Sequence, residues 1–428
     1  MDIESLYKKF LQSGEVSTDT RQIAPGSVFF ALKGPKFNAN TFAVEALRKG
    51  ASYAVVDEQE FLNHPGTILV EDALKALQQL AQYHRSQLNL PVIGLTGSNG
   101  KTTTKELMHA VLGKKYKTYA TQGNLNNHIG VPLTVLALNS STELAVVEMG
   151  ANHIGEIALL SEIAKPTHGL ITNIGKAHIG MFGGFENIVR AKSELYQYLI
   201  AHQGQVFINS GSPVLSPMAK RFKNPCLYPA SGDYYHCGLI SVDPYIRFKA
   251  ENGEEVNTNL IGGYNFENLA AALCVGKFFG VDPRLANRAI TEYRPQAMRS
   301  QVIQGVTNLI ILDAYNANPS SMEAAIENLA SMKTARKVAI LGDMYELEGE
   351  SDAEHKKLGD LLSKKGIQEV YLCGTLIKKA LETYPQAAYF ATKNALMRHL
   401  EEKPIRNATI LVKASRGMGL ETVVEALK

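Results

Sequence analysis

The chain has 428 residues, with 44 Lys and Arg against 41 Asp and Glu, a formal charge of +3. At roughly 150 residues per domain, that length implies about three domains, each able to bury its own core. Hydrophobic residues at 45% and charged residues at 20% exclude a disordered chain, and so small a net charge gives no general attraction to nucleic acid or anionic membrane.

The N-terminus carries Asp2, Glu4, Lys8 and Lys9 with no apolar run behind them, unlike a signal peptide. Residues 28–32 (Val-Phe-Phe-Ala-Leu) and 53–56 (Tyr-Ala-Val-Val) read as strands, with a helix over 42–49 between them. A second helix over 71–88 has Leu74, Leu77 and Leu80 at helical spacing, and Pro91 then opens a new element. A first domain of 1–88 follows. Apolar runs at 92–95, 144–147 and 170–171, separated by helical stretches, have the alternation of a parallel α/β sheet. The uncharged stretch 118–142 is too rich in Asn, Gln, Ser and Gly to span a membrane. Residues 207–260, turn-rich and irregular, read as a small antiparallel insertion. From about Arg299, runs at 309–312, 338–341, 370–372 and 410–412 form an open sheet of Rossmann type, although none leads into G-x-G-x-x-G. The expected fold is thus α/β with three domains. A small α/β N-terminal domain is followed by a central parallel sheet (89–297) and a C-terminal Rossmann-like sheet (298–428). Four scattered cysteines, Cys226, Cys237, Cys274 and Cys373, lack metal or disulfide spacing and read as reduced thiols.

The sharpest local feature is Thr96-Gly97-Ser98-Asn99-Gly100-Lys101-Thr102-Thr103 after the strand at 92–95. A strand entering a glycine turn and then a helix lets backbone N–H groups and the helix N-terminus hold phosphate. Lys101 would reach the terminal phosphates and the Thr102 hydroxyl would ligate Mg²⁺. The G-x-x-x-x-G-K-[ST] spacing misses by one, since position 95 is Leu. Glu148 ends the strand at 144–147, where a P-loop fold places a carboxylate for the metal, making this the central P-loop domain. By spacing alone, His178 reads as a structural histidine and Lys192 as a helix-surface lysine.

The variant Thr-Gly-x-Asn-Gly-Lys-Thr-Thr resembles the Mur ligase superfamily of ATP-dependent amide-bond ligases, which includes the peptidoglycan amino-acid ligases and folylpolyglutamate synthetase. Further matches run in order along all three segments. They are Asn-Leu-Asn-Asn-His-Ile-Gly-Val-Pro at 124–132, Glu-Met-Gly-Ala-Asn at 148–152, Asp-Ala-Tyr-Asn-Ala-Asn-Pro at 313–319, Leu-Gly-Asp-Met-Tyr-Glu-Leu at 341–347 and Lys-Ala-Ser-Arg-Gly-Met at 413–418. They resemble the branch that joins D-alanyl-D-alanine to UDP-N-acetylmuramoyl-tripeptide, which implies those two substrates, a bacterial cytoplasmic setting and a monomer. The resemblance implies Thr102, Glu148, His178 and Lys192 as ligands to two Mg²⁺ ions, with Lys192 carbamylated. It further implies Asn265, Asn268, Arg299, Asp313 and Asn316 at ATP, together with the loop residues Gly97 to Thr103. Thr18, Asp19, Arg21 and Lys33 are implied at the uridine diphosphate, and Asn124, Asn126 and Asn127 along the muramoyl-peptide channel. Lys413, as a catalytic cation, Ser415 and Arg416 are implied near the acyl centre or acceptor dipeptide, beside Lys101, His178 and Lys192 in the chemistry. The chain departs from the family pattern at Tyr264, where His is common, at Leu312 before Asp313, and at Asn38-Ala39-Asn40 in place of Asp-Gly-His. Folylpolyglutamate synthetase and an ATP-gated binding protein are the alternative readings.

Overall fold

The computed structural model describes residues 2–296 and 298–428. Three α/β domains follow one another, each on its own sheet. The first sheet holds four parallel strands in the order Val16–Ser17, Val28–Phe30, Tyr53–Val56, Thr67–Leu69. The last helix before the central sheet, Ala73–Gln87, starts from an Asp72 cap and is tied across the boundary. Its buried Arg85 donates to the carbonyls of Ala164 and Leu90 at 3.0 and 3.1 Å. Leu77 and Leu80 therefore share one core with Val131, Leu160 and Leu195 of the central domain.

The central sheet has six parallel strands in the order Cys226–Tyr228, Gln205–Asn209, His168–Ile171, Val92–Thr96, Leu144–Glu148, Thr118–Ala120. Its inner strands are buried on both faces and correspondingly rich in Val, Ile and Leu. The chain leaves Val92–Thr96 in one direction and returns on its other side with His168–Ile171. The crevice at this reversal is where open α/β sheets bind ligands.

The stretch 207–260 is less of an insertion than its irregular sequence implies. Gln205–Asn209 and Cys226–Tyr228 belong to the parallel sheet, and only Gly238–Ser241, Tyr245–Lys249 and Glu255–Ile261 form an antiparallel unit. Short strands separated by the Ser216–Arg221 turn carry too little periodicity to be recognised.

The third sheet runs Gln301–Gln304, Leu309–Asp313, Thr409–Lys413, Lys337–Gly342, Glu369–Cys373, Ala388–Phe390, parallel except for the first. Its last strand in sequence inserts beside its first parallel one, placing Asp313 and Lys413 in register. All four cysteines are buried and free. Among the described residues no helix is long and apolar enough to cross a membrane.

Candidate active site

The phosphate loop connects Val92–Thr96 to the helix Lys101–Leu112. Two glycines make its turn possible. Gly97 has φ +147°, and a Cβ there would collide with the Thr172 hydroxyl. Gly100 has φ +76°, and a Cβ would fall 2.5 Å from Asn268 Oδ1. The loop is fastened from beneath, with Ser98 N donating to Asn173 O at 2.9 Å and Asn99 N to Asn173 Oδ1 at 3.0 Å. The helix Tyr264–Phe278 packs along the loop's helix. Asn268 Oδ1 accepts from Thr104 Oγ1 at 3.1 Å, and Asn268 Nδ2 donates to Asn265 Oδ1 at 2.8 Å.

A cavity of about 810 Å³ opens above the loop, bounded by the central domain on one side and the third domain on the other. Ser98 to Thr103, Asn124, Asn126, Asn127, Glu148, His178, Asn265 and Asn268 line it from the central domain, and Arg299, Asp313, Asn316 and Lys413 from the third. Lys101 Nζ donates to the carbonyls of Gly97 and Ser98 at 2.8 and 3.2 Å. Burial is the main force lowering its pKa, Glu148 opposes it, and the Arg299 guanidinium adds to it.

Glu148 stands opposite Leu95 in the sheet, one step from the loop, and is almost fully buried. Its Oε1 accepts from Asn126 Nδ2 at 2.8 Å and Thr102 Oγ1 at 3.3 Å, while its buried Oε2 has no partner in the chain. A desolvated carboxylate oxygen without a donor is costly, and a cation is what it fits. Among the described residues no three His, Cys, Asp or Glu side chains converge. This donor set suits Mg²⁺, which takes one or two carboxylates and completes its shell with phosphates and water.

Lys192 is not the surface residue its helix composition implies. It is 1% exposed, its Nζ donates to Ala151 O at 3.0 Å behind the cavity wall, and it lies 5.3 Å from the Phe182 ring. Burial, reinforced by Lys101, pushes its pKa down to about 7. His178, a left-handed residue with φ +55°, places Nδ1 2.6 Å from Glu346 Oε2 of the third domain, a close contact set off the N–H direction. That imidazole is the main cause holding the Glu346 carboxyl below its ordinary range.

On the third-domain wall, Lys413 Nζ binds Asp313 Oδ2 at 2.6 Å and Asn316 O at 3.2 Å. Arg299 stacks 3.8 Å over the Tyr315 ring, leaving its buried Nε without a partner. The two walls are latched by Asn318 Nδ2 to Asn99 Oδ1 at 2.8 Å, Lys176 N to Ser320 Oγ at 2.8 Å and Tyr264 OH to Ser300 Oγ at 2.8 Å. None of these pairings has a signal in the sequence.

Other residues singled out in the sequence lie elsewhere. Thr18, Asp19, Arg21 and Lys33 do not line this cavity. Asp19 caps the turn Thr20–Gln22 and pairs with exposed Arg21 at 2.7 Å, and Lys33 pairs with Asp57 at 3.0 Å. Ser415 is buried and accepts from Tyr345 N at 2.9 Å, while Arg416 pairs with Glu421 at 3.3 Å; neither lines the cavity, although Arg416 lies 6.0 Å from the ring of Tyr315, which does.

A phosphate loop with a buried carboxylate beside it and cations facing it from a docked third domain belongs to an ATP-dependent ligase. Residues 95–276 match the Mur ligase middle domain and residues 298–416 the Mur ligase glutamate ligase domain. The UDP-N-acetylmuramoyl-tripeptide–D-alanyl-D-alanine ligase of Bacillus subtilis is 38% identical, the alignment covering 96% of this chain and 92% of that protein. Its Escherichia coli counterpart is 34% identical over 96% and 93%. The crystal structure of MurF from Acinetobacter baumannii superposes with a TM-score of 0.87 at 32% identity, covering 96% of this chain and 93% of that one. MurF ligase from Thermotoga maritima in complex with ADP superposes at 0.85, with 28% identity and 97% of both chains covered. The chain belongs to the Mur ligase family.

Proposed function

We propose that the chain joins D-alanyl-D-alanine to UDP-N-acetylmuramoyl-tripeptide at the expense of ATP, as a monomer in the bacterial cytoplasm. The observation that carries this reading is the shared cavity, in which Lys101 and Glu148 face Arg299 and Lys413 across the domain boundary. The near full-length similarity to ligases named for that reaction supports the choice of substrates. We assign the uridine nucleotide to the domain at 1–88, ATP to that at 89–297, and closure with acceptor binding to that at 298–428.

The tripeptide's terminal carboxylate attacks the γ-phosphorus of the ATP substrate, giving an acyl phosphate and ADP. The dipeptide amine then attacks the acyl carbon, loses a proton, and inorganic phosphate departs from the tetrahedral intermediate. The protein contributes positioning and charge. Lys101 and Arg299 offset charge on the transferring phosphoryl group, and Lys413, held by Asp313, faces it from the third domain. The docked third domain keeps out the water that would hydrolyse the acyl phosphate.

Thr102, Glu148, His178 and a carbamylated Lys192 would hold two Mg²⁺ ions, which neutralise phosphate charge when bound. With its pKa near 7, the Lys192 amine is substantially uncharged at neutral pH. That form captures carbon dioxide to give a carbamate and a proton.

Phosphate release tests the reading. It should require both the tripeptide nucleotide and D-alanyl-D-alanine, and Lys101→Ala should abolish both ATP turnover and ligation. Appreciable ligation by that variant would refute the loop assignment, and turnover with a folate and glutamate instead would move the chain to the folylpolyglutamate branch.

A further inference from the structure

The segment Leu-Gly-Asp-Met-Tyr-Glu-Leu at 341–347 contains two acidic residues that the site above leaves without a role. The fold accounts for Asp343, which is buried and accepts from Thr375 N and Ile377 N at 3.1 and 2.8 Å, pinning the turn after Glu369–Cys373. Glu346 instead reaches out of its domain to His178, with Oε2 2.6 Å from Nδ1.

The backbone is bent on both sides to make this contact. His178 and Glu346 both adopt left-handed conformations, φ +55° and +63°, which non-glycine residues avoid. Two residues beyond His178 the domains touch so closely that a Cβ on Gly180 would fall 2.6 Å from the Leu347 carbonyl carbon. Glu346 Oε2 lies beside Nδ1 but off its N–H direction; a small rotation of the ring would bring the two into line, keeping the proton on Nδ1 and leaving Nε2 as the ring's lone-pair donor. Carboxylates behind histidine ligands fix tautomer and orientation in this way.

We propose that Glu346 is a positioning residue that sets His178 for a divalent cation, so that full metal affinity is reached only when the third domain is docked. The inference rests on the reading of His178 as a metal ligand. Its distinctive content is that a residue of the moving domain completes a metal site built on the central one.

Mn²⁺ titration of the full-length chain with ADP, followed by electron paramagnetic resonance, tests it. Glu346→Gln should weaken Mn²⁺ binding by about tenfold with its thermal midpoint unchanged, and His178→Ala should weaken it at least as much. The double variant should bind no more weakly than His178→Ala alone. Lys176→Met breaks an ion pair across the same interface, Lys176 to Glu354 at 3.2 Å, and should keep wild-type Mn²⁺ affinity. Wild-type affinity in Glu346→Gln, with binding lost in His178→Ala, would overturn the positioning role and leave the ligand reading intact. Wild-type affinity in His178→Ala would overturn the ligand reading itself. Equal loss in Lys176→Met would show that docking alone, rather than orientation of the imidazole, carries the effect.

Discussion

Tyr264 occupies a position where histidine is common in the family, and its hydroxyl bonds Ser300 Oγ at 2.8 Å. Tyr264 starts the helix bearing Asn265 and Asn268, whereas Ser300 leads into the third domain. Ser300 is 7% exposed and has φ +49°, and its N–H donates to Asp313 Oδ1 at 3.2 Å. The bond therefore ties the nucleotide helix to the carboxylate that holds Lys413. Burial pushes the Tyr264 hydroxyl above its ordinary pKa, so it stays protonated at any working pH.

Tyr264→Phe keeps the ring and leaves Ser300 Oγ without its partner, and Ser300→Ala strands the tyrosine hydroxyl. Each single change should cost the docked state about 1–2 kcal/mol, whereas the double variant, with neither group left unpaired, should cost less than the two together. Since 1.4 kcal/mol is tenfold in an equilibrium, the apparent KM for ATP should rise by roughly five- to thirtyfold in each single variant. Phosphate-release kinetics on the four proteins, with small-angle scattering to follow docking, gives the cycle. Additive effects, with no coupling beyond about 0.5 kcal/mol, would refute the latch.

Two more measurements bear on other parts of the molecule. His168 packs among Phe207, Phe278 and Phe279, and burial lowers its pKa to about 4. Between pH 6.5 and 4 the unfolded chain then binds the extra proton, so stability falls with falling pH by up to about 3 kcal/mol. Urea midpoints should show His168→Phe gaining on wild type from pH 7 to 4.5, and a pH-independent difference would contradict the burial argument. For Lys192, ¹³C-bicarbonate should give a carbamate resonance that Lys192→Met lacks, and wild-type turnover should fall in carbon-dioxide-free buffer and return with bicarbonate. Unchanged turnover without carbon dioxide would sink the modification.

What the sequence discloses about this site depends on how far apart the partners lie. The loop at 97–102 and Glu148 are recognisable because strand, turn and helix signals sit within a few residues of each chemical group. Lys192 is different. Its buried amine meets Ala151 and Phe182, contacts that periodicity along its own helix does not reveal, so it passes for a solvated lysine. Asn99 with Asn318 and His178 with Glu346 meet only through tertiary packing across more than 150 residues of sequence. The family pattern marks these segments but does not say which atoms meet. The edge strands Thr118–Ala120 and Ala388–Phe390 are three residues each, too short to show an alternation.

The charge of +3 conceals how unevenly the site is built. Arg299 Nε and Glu148 Oε2 are both buried without partners, although opposite charges in one cavity would lower their energy by pairing. Leaving each desolvated costs on the order of 1–3 kcal/mol, and Lys101 loses basicity through burial, with Arg299 adding a smaller push. The fold keeps these groups apart by setting Glu148 in a central strand and stacking Arg299 on Tyr315. Phosphate bound between Lys101 and Arg299 would relieve one imbalance, and a cation beside Glu148 would relieve the other. Each ligand then stabilises the seat of the other, so nucleotide and metal should bind with positive cooperativity. The third domain, which brings Arg299, belongs to the same equilibrium.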